Sequence, residues 1–177
     1  QMCIRDRKGY EVELLNADVA PVFASVSRKK ADVFMDAWLP VTMKDYIDQY
    51  GDQIEFIGEV YDSARVGLVV PQYVTIDSIG ELAAYKGQFS SEIVGIDAGA
   101  GIMKTTDKAI GDYGLDGYKL LTSSSSTMLA SLQKAMEKEA WIVITGWTPH
   151  WMFDRYPLTF LHDPKGTYGH VESIYVV

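Results

Sequence analysis

The spacing of apolar residues changes period repeatedly along this chain, and that alternation limits the fold more than any other feature. "EVELLNA" (11–17) alternates polar and apolar residues, the two-residue period of a strand. Asp18 then opens a helix running to about Lys29, with Val19, Val22, Phe23 and Val26 on one face. "ADVFMDAWL" (31–39) reads as a strand ending at Trp38, "VTMKDYIDQYG" (41–51) as a helix closed by Gly51. "IEFIGEVY" (54–61) and "RVGLVVP" (65–71) read as two strands, the second stopped by Pro71.

A second set follows. "SIGELAAYK" (78–86) is a short helix capped by Ser78, and "EIVGID" (92–97) a strand. "GAGIMKTTDKAIGDYG" (99–114) is a glycine turn leading into a helix that stops at Gly114. "YKLLT" (118–122) is a strand. "SSSSTMLASLQKAMEKE" (123–139) is a serine-capped helix with Met128, Leu129, Leu132 and Met136 on one face. "AWIVITGW" (140–147) is a buried strand, "PHWMFDRY" (149–156) one or two helical turns, and "LTFL" and "HVESIYVV" are closing strands. Strands alternating with helices predict an α/β fold with mostly parallel sheets. The break between the two sets falls near residues 69–72. That divides the chain into 8–70, part of a first lobe, and 71–177, a second lobe whose last strand returns toward the hinge. The first seven residues, "QMCIRDR", have no apolar core and match no cleavage pattern around Cys3. They are read as a leader foreign to the rest, so that the native chain begins in mid-protein.

Charge and composition narrow the function. The net charge of −8 argues against nucleic acid, which requires a basic face. No apolar run approaches the ~20 residues of a membrane span. The single cysteine excludes an internal disulfide and a cysteine-based metal site. His150, His162 and His170 lack metal-ligand spacing. Ser123 to Ser126 read as a helix cap, with no nucleophile elbow around them. Asp36, Asp97 and Asp154 are scattered, with no pairing that suggests acid–base work. No cofactor, metal or catalytic residue is expected.

Two constellations suggest a binding site. In "GIDAGAGIMKTT" a strand runs into a glycine turn that opens a helix, the usual ligand position in open α/β sheets. Lys104 stands where a dinucleotide fingerprint needs its third glycine, and no phosphate-loop spacing is present. The amides of Gly101 and Ile102 can still hold a single carboxylate, or the segment is a plain strand–helix turn. Trp38 in "DAWLP" and Trp147 in "TGWTP" each end a strand, one in each half of the chain. They are core residues or the walls of a site for a quaternary ammonium. Cation–π contacts supply ~0.5–2 kcal/mol each, whereas micromolar binding needs about 8 kcal/mol. Rings alone therefore fall short, and a carboxylate anchor makes up much of the difference.

"DAWLP", "VGLVVPQYV", "GIDAGAGIM", "SSSSTMLASL" and "TGWTPHWMFDRYPLTFLHDPKGTYG" together resemble the substrate-binding proteins of glycine betaine ABC importers. The resemblance runs from about Gly9 to Val177. It implies a two-lobed clamshell of the type II periplasmic-binding-protein kind, here with one lobe incomplete. It implies a cage of three tryptophans around the ammonium head, two of them matched by Trp38 and Trp147. The third lies in a family segment ahead of "GYEVEL" that "QMCIRDR" replaces. Gly101 and Ile102 would hold the ligand carboxylate. The family histidine that assists them is Met43 here, and His150 would support the Trp147 loop beside the ligand. The implied partners are a betaine-type ligand and a membrane ABC permease, and the implied setting is extracytoplasmic. Proline betaine, carnitine, choline and dimethylsulfoniopropionate also fit the class, with choline disfavoured because it has no carboxylate. The same lobes would serve equally as the extracellular sensing domain of a signalling protein.

Overall fold

The computed structural model describes residues 9–15 and 17–177. The expected leader and Cys3 lie outside the described residues. The first half supplies helix α1 (Val19–Ser27), strand β1 (Ala37–Leu39), helix α2 (Lys44–Tyr50) and strand β2 (Gly58–Pro71). The second supplies β3 (Glu92–Val94), α3 (Gly101–Asp112), β4 (Lys119–Leu121), α4 (Ser125–Met136), β5 (Ile144–Thr148), α5 (Met152–Arg155), β6 (Leu158–Phe160) and β7 (Glu172–Val176).

The strands join in the order β1-β7-β2-β5-β3-β4, with β6 also on β2. Strand β2 is the spine. Its residues Gly58 to Ala64 pair with β7, Arg65 to Val69 with β5, and Val69 to Pro71 with β6. One uninterrupted strand thus belongs to two groups of neighbours. Of the two separate strands expected over 54–61 and 65–71, residues 54–57 form no strand, and 58–61 and 65–71 belong to this single element. The polar stretch Asp62-Ser63 falls at one of the register shifts between β2 and β7, and the pairing resumes at Ala64 before β2 passes to β5.

The expectation of mostly parallel sheets is corrected. Pairing is parallel where full helices carry the chain across, β3 with β4 and β3 with β5. Strands β1, β2, β5, β6 and β7 meet antiparallel. The strand expected over 11–17 is not formed at the described positions. Leu14 and Leu15 stay exposed there, because no described strand offers them a ladder. Over 31–39 only the last three residues are strand.

Local chemistry fixes the other elements. Ser78 and Glu81 form a reciprocal capping box, although the turn they start, Ile79–Tyr85, is a 3-10 helix. Ser124 caps α4 by accepting from Thr127 N at 3.1 Å. Helix α3 ends before Gly114, whose φ of +59° suits glycine. Phe23, fully buried, anchors the first half, stacking on Tyr46 at 5.0 Å and meeting Phe34 edge-on at 5.3 Å. Leu68 and Val69 of β2 join Ile93, Met128, Leu132 and Ile144 of the second half in the core. A loop on "HDPKGTY" pins the far end of α3. There Thr167 Oγ1 donates to Asp112 at 2.7 Å, and Tyr168 Oη bonds Thr106 Oγ1 at 2.9 Å.

Candidate functional site

Where β2 changes partners, the two halves enclose a cavity of about 280 Å³. Trp38, Met43, Gly101, Ile102 and Trp147 all line it, with Val66 of β2 beside them. Five of the six residues singled out in the sequence therefore meet at one place. Trp38 comes from β1 and pairs across the ladder with Ile174; Trp147 comes from β5 and pairs with Val66. The chain leaves each strand through a cis X-Pro bond, Leu39–Pro40 and Thr148–Pro149.

Trp38 is held on two sides. Its Nε1 donates to Asp36 Oδ1 at 2.6 Å, and its backbone N–H donates to Met43 Sδ at 3.4 Å. Met43 is buried and so serves the backbone of Trp38 as well as the cavity wall. Trp147 is half-buried, its ring against His150 edge-on at 5.0 Å. His150 does not line the cavity. It stands behind Trp147, with its Nδ1 accepting from Met152 N at 3.1 Å, while exposed Trp151 leans on its far face at 5.5 Å. Burial holds the His150 imidazole below its ordinary pKa, which keeps it neutral and able to accept that bond.

The amide side of the cavity is the first turn of α3. The first N–H groups of a helix have no intrahelical partner, so Gly101 and Ile102 present donors with a positive dipole end. Gly101 has to be glycine: a Cβ there would lie 1.7 Å from the carbonyl oxygen of Thr42. The Thr42 loop is fixed by Glu172, which is buried and accepts from Val41 N at 3.0 Å, Thr42 N at 2.8 Å and the Thr42 hydroxyl. Two more contacts cross between the halves at this point. Tyr46 Oη donates to Gly99 O at 2.7 Å, and Lys104 pairs with Asp45.

Sequence reasoning missed the acidic side. Asp18, Asp36 and Asp97 also line the cavity, whereas Asp154 does not. Asp97 Oδ1 is buried with no hydrogen-bond partner among the described residues. Desolvation raises the pKa of the Asp36 carboxyl while the bond from Trp38 pulls it down. The residue is exposed, with its carboxyl turned onto the Trp38 indole N–H. The D-x-W spacing was a signal for part of this, since residues two apart on an extended segment share a face. Among the described residues no group of three or more potential ligands could hold a metal, and no helix is long and apolar enough to cross a membrane.

The chain as a whole is similar to known solute-binding proteins. Residues 3–177 match a family described as the substrate binding domain of the ABC-type glycine betaine transport system. A glycine betaine/carnitine transport binding protein of Listeria monocytogenes is 45% identical over 120 residues, 67% of this chain but 38% of that protein. A glycine betaine/L-proline-binding protein of Borrelia burgdorferi superposes with a TM-score of 0.92 at 35% identity, covering 98% of this chain and 66% of that one. Lactococcal OpuAC, closed around glycine betaine, gives 0.91 at 39% identity, covering 97% and 66%.

Proposed function

The chain belongs to the family of substrate-binding domains of ABC-type glycine betaine transport systems, and we propose that it captures glycine betaine or a related quaternary-ammonium osmoprotectant outside the cytoplasmic membrane and hands it to a membrane permease. Its fold is the two-lobed clamshell of type II periplasmic binding proteins, with one lobe incomplete because the chain spans about two thirds of its structural neighbours. The observation that carries the proposal is the convergence of Trp38, Trp147 and the first turn of α3 on one small cavity. Its volume lies at the lower end of ligand pockets, which suits a small solute.

The faces of Trp38 and Trp147 are the negative part of each ring and attract an ammonium that cannot donate hydrogen bonds. The amides of Gly101 and Ile102 supply the complementary donors for the carboxylate. A zwitterion is thus bound head and tail by groups from both halves, so that binding and closure are the same event. His150 contributes by holding Trp147 in place. No bond is made or broken. The function is capture and release.

Calorimetric titration of glycine betaine against the chain and its Trp38→Ala and Trp147→Ala variants tests this reading. The expected result is micromolar binding weakened one to two decades by each substitution, about 1.4–2.7 kcal/mol. Absence of binding, or variants that bind as tightly as the parent, would overturn it.

A further inference from the structure

Of the three carboxylates on the cavity, Asp36 is the one bonded to a tryptophan of the site, and the aromatic and amide contacts leave its charge without a task. Asp36 Oδ1 accepts the Trp38 Nε1–H at 2.6 Å, and the same residue lines the cavity. A neutral acceptor such as an asparagine or serine oxygen would hold an indole N–H equally well. The Asp36 carboxylate, although the residue is exposed, brings a full negative charge to the cavity wall that neither neutral acceptor would bring. Among the described residues nothing cationic takes it up. The ion pairs among the described residues are Lys44–Asp48, Lys104–Asp45 and Lys108–Asp112, and none involves Asp36. Asp18 and Asp97 add to the negative field on the same cavity rather than offsetting it.

We infer that Asp36 is a specificity-determining residue of this cavity: its carboxylate fixes the Trp38 indole and sets a negative charge behind it, so the cavity selects a positive head by charge as well as by shape. Two effects act in the same direction. An indole whose N–H is bonded to an anion carries a more negative π-face, which strengthens its hold on a cation. The carboxylate also attracts the ligand's ammonium directly across the cavity. Both act on a charged head, and neither acts on an uncharged one of the same outline. This inference rests on the reading that a quaternary ammonium sits against Trp38.

The test separates charge from shape. Glycine betaine is compared with 3,3-dimethylbutanoate, in which a tert-butyl group replaces the trimethylammonium and the carboxylate is kept. Affinities are measured by titration, with competition against betaine for the weaker ligand, on the 177-residue chain and on its Asp36→Asn and Asp36→Glu variants. Asp36→Asn keeps an acceptor for the indole and removes the charge. The expected result is a betaine-to-isostere preference reduced about tenfold in Asp36→Asn, carried by weaker betaine binding with the isostere unchanged. Asp36→Glu retains most of the preference. A preference unchanged in Asp36→Asn, or reduced as far in Asp36→Glu, would overturn the inference while leaving the proposed function standing. If the parent chain binds no betaine, both fall together.

Discussion

The carbonyl oxygen of Thr42 occupies the space that a side chain on Gly101 would need, at 1.7 Å from where the Cβ would sit. The two residues come from opposite halves of the chain, and their approach brings the first turn of α3 against the loop after β1. The obstacle is backbone, so no rotamer change relieves it. Gly101→Ala should therefore hold the halves apart. The expected outcome is betaine affinity lowered at least about tenfold, with the radius of gyration in small-angle scattering unchanged when ligand is added. A variant that binds and contracts like the parent would show that the approach is not needed for closure.

Glu172 is the support beneath that contact. It is buried and accepts two backbone N–H groups and a hydroxyl from Val41 and Thr42. Glu172→Ala leaves those donors facing protein with nothing to bond, at about 2–4 kcal/mol. Glu172→Gln restores part of the set and should cost less. Denaturant unfolding of the three proteins checks the order. Equal midpoints would mean that water replaces the carboxylate freely.

His150 predicts an acid limb in the stability of the second half. Its folded pKa is lowered by burial, so the unfolded chain takes up the proton first as pH falls through about 6.5. Stability from this group is complete above that value and is lost as pH falls below it toward the folded pKa. Protonation also removes the Nδ1 acceptor used by Met152 N. Melting temperature measured from pH 8 to pH 5 should fall more steeply in the parent than in His150→Gln. Parallel curves would remove this imidazole from the account.

What the sequence disclosed of the site depended on how local each signal was. Trp38 and Trp147 stand where an apolar strand pattern meets a proline, and Gly101 where a strand meets a helix; these are features of five or six residues. Their meeting at one cavity follows from the α/β arrangement, which sets strand ends together. Asp36 and Asp97 looked scattered because their relation exists only after β1 and β3 are brought together across β2. The antiparallel pairings were hidden for a similar reason. Strand direction depends on partners distant in sequence, while period and capping are local. The pattern over 11–17 has the strand period, but a period alone cannot supply a neighbouring strand.

The ladder between β2 and β7 sets Ala64 opposite Glu172. Everything between them, from Arg65 through Val171, leaves one group of strands and comes back to it at adjacent positions. In evolutionary terms that stretch has the layout of an insertion, one folding unit spliced into a strand pair of another. Its two ends are already side by side, so a short bridge could join them, and new termini could be opened elsewhere in the loop-rich second half. The order of segments along the gene is therefore one of several that would trace the same three-dimensional path.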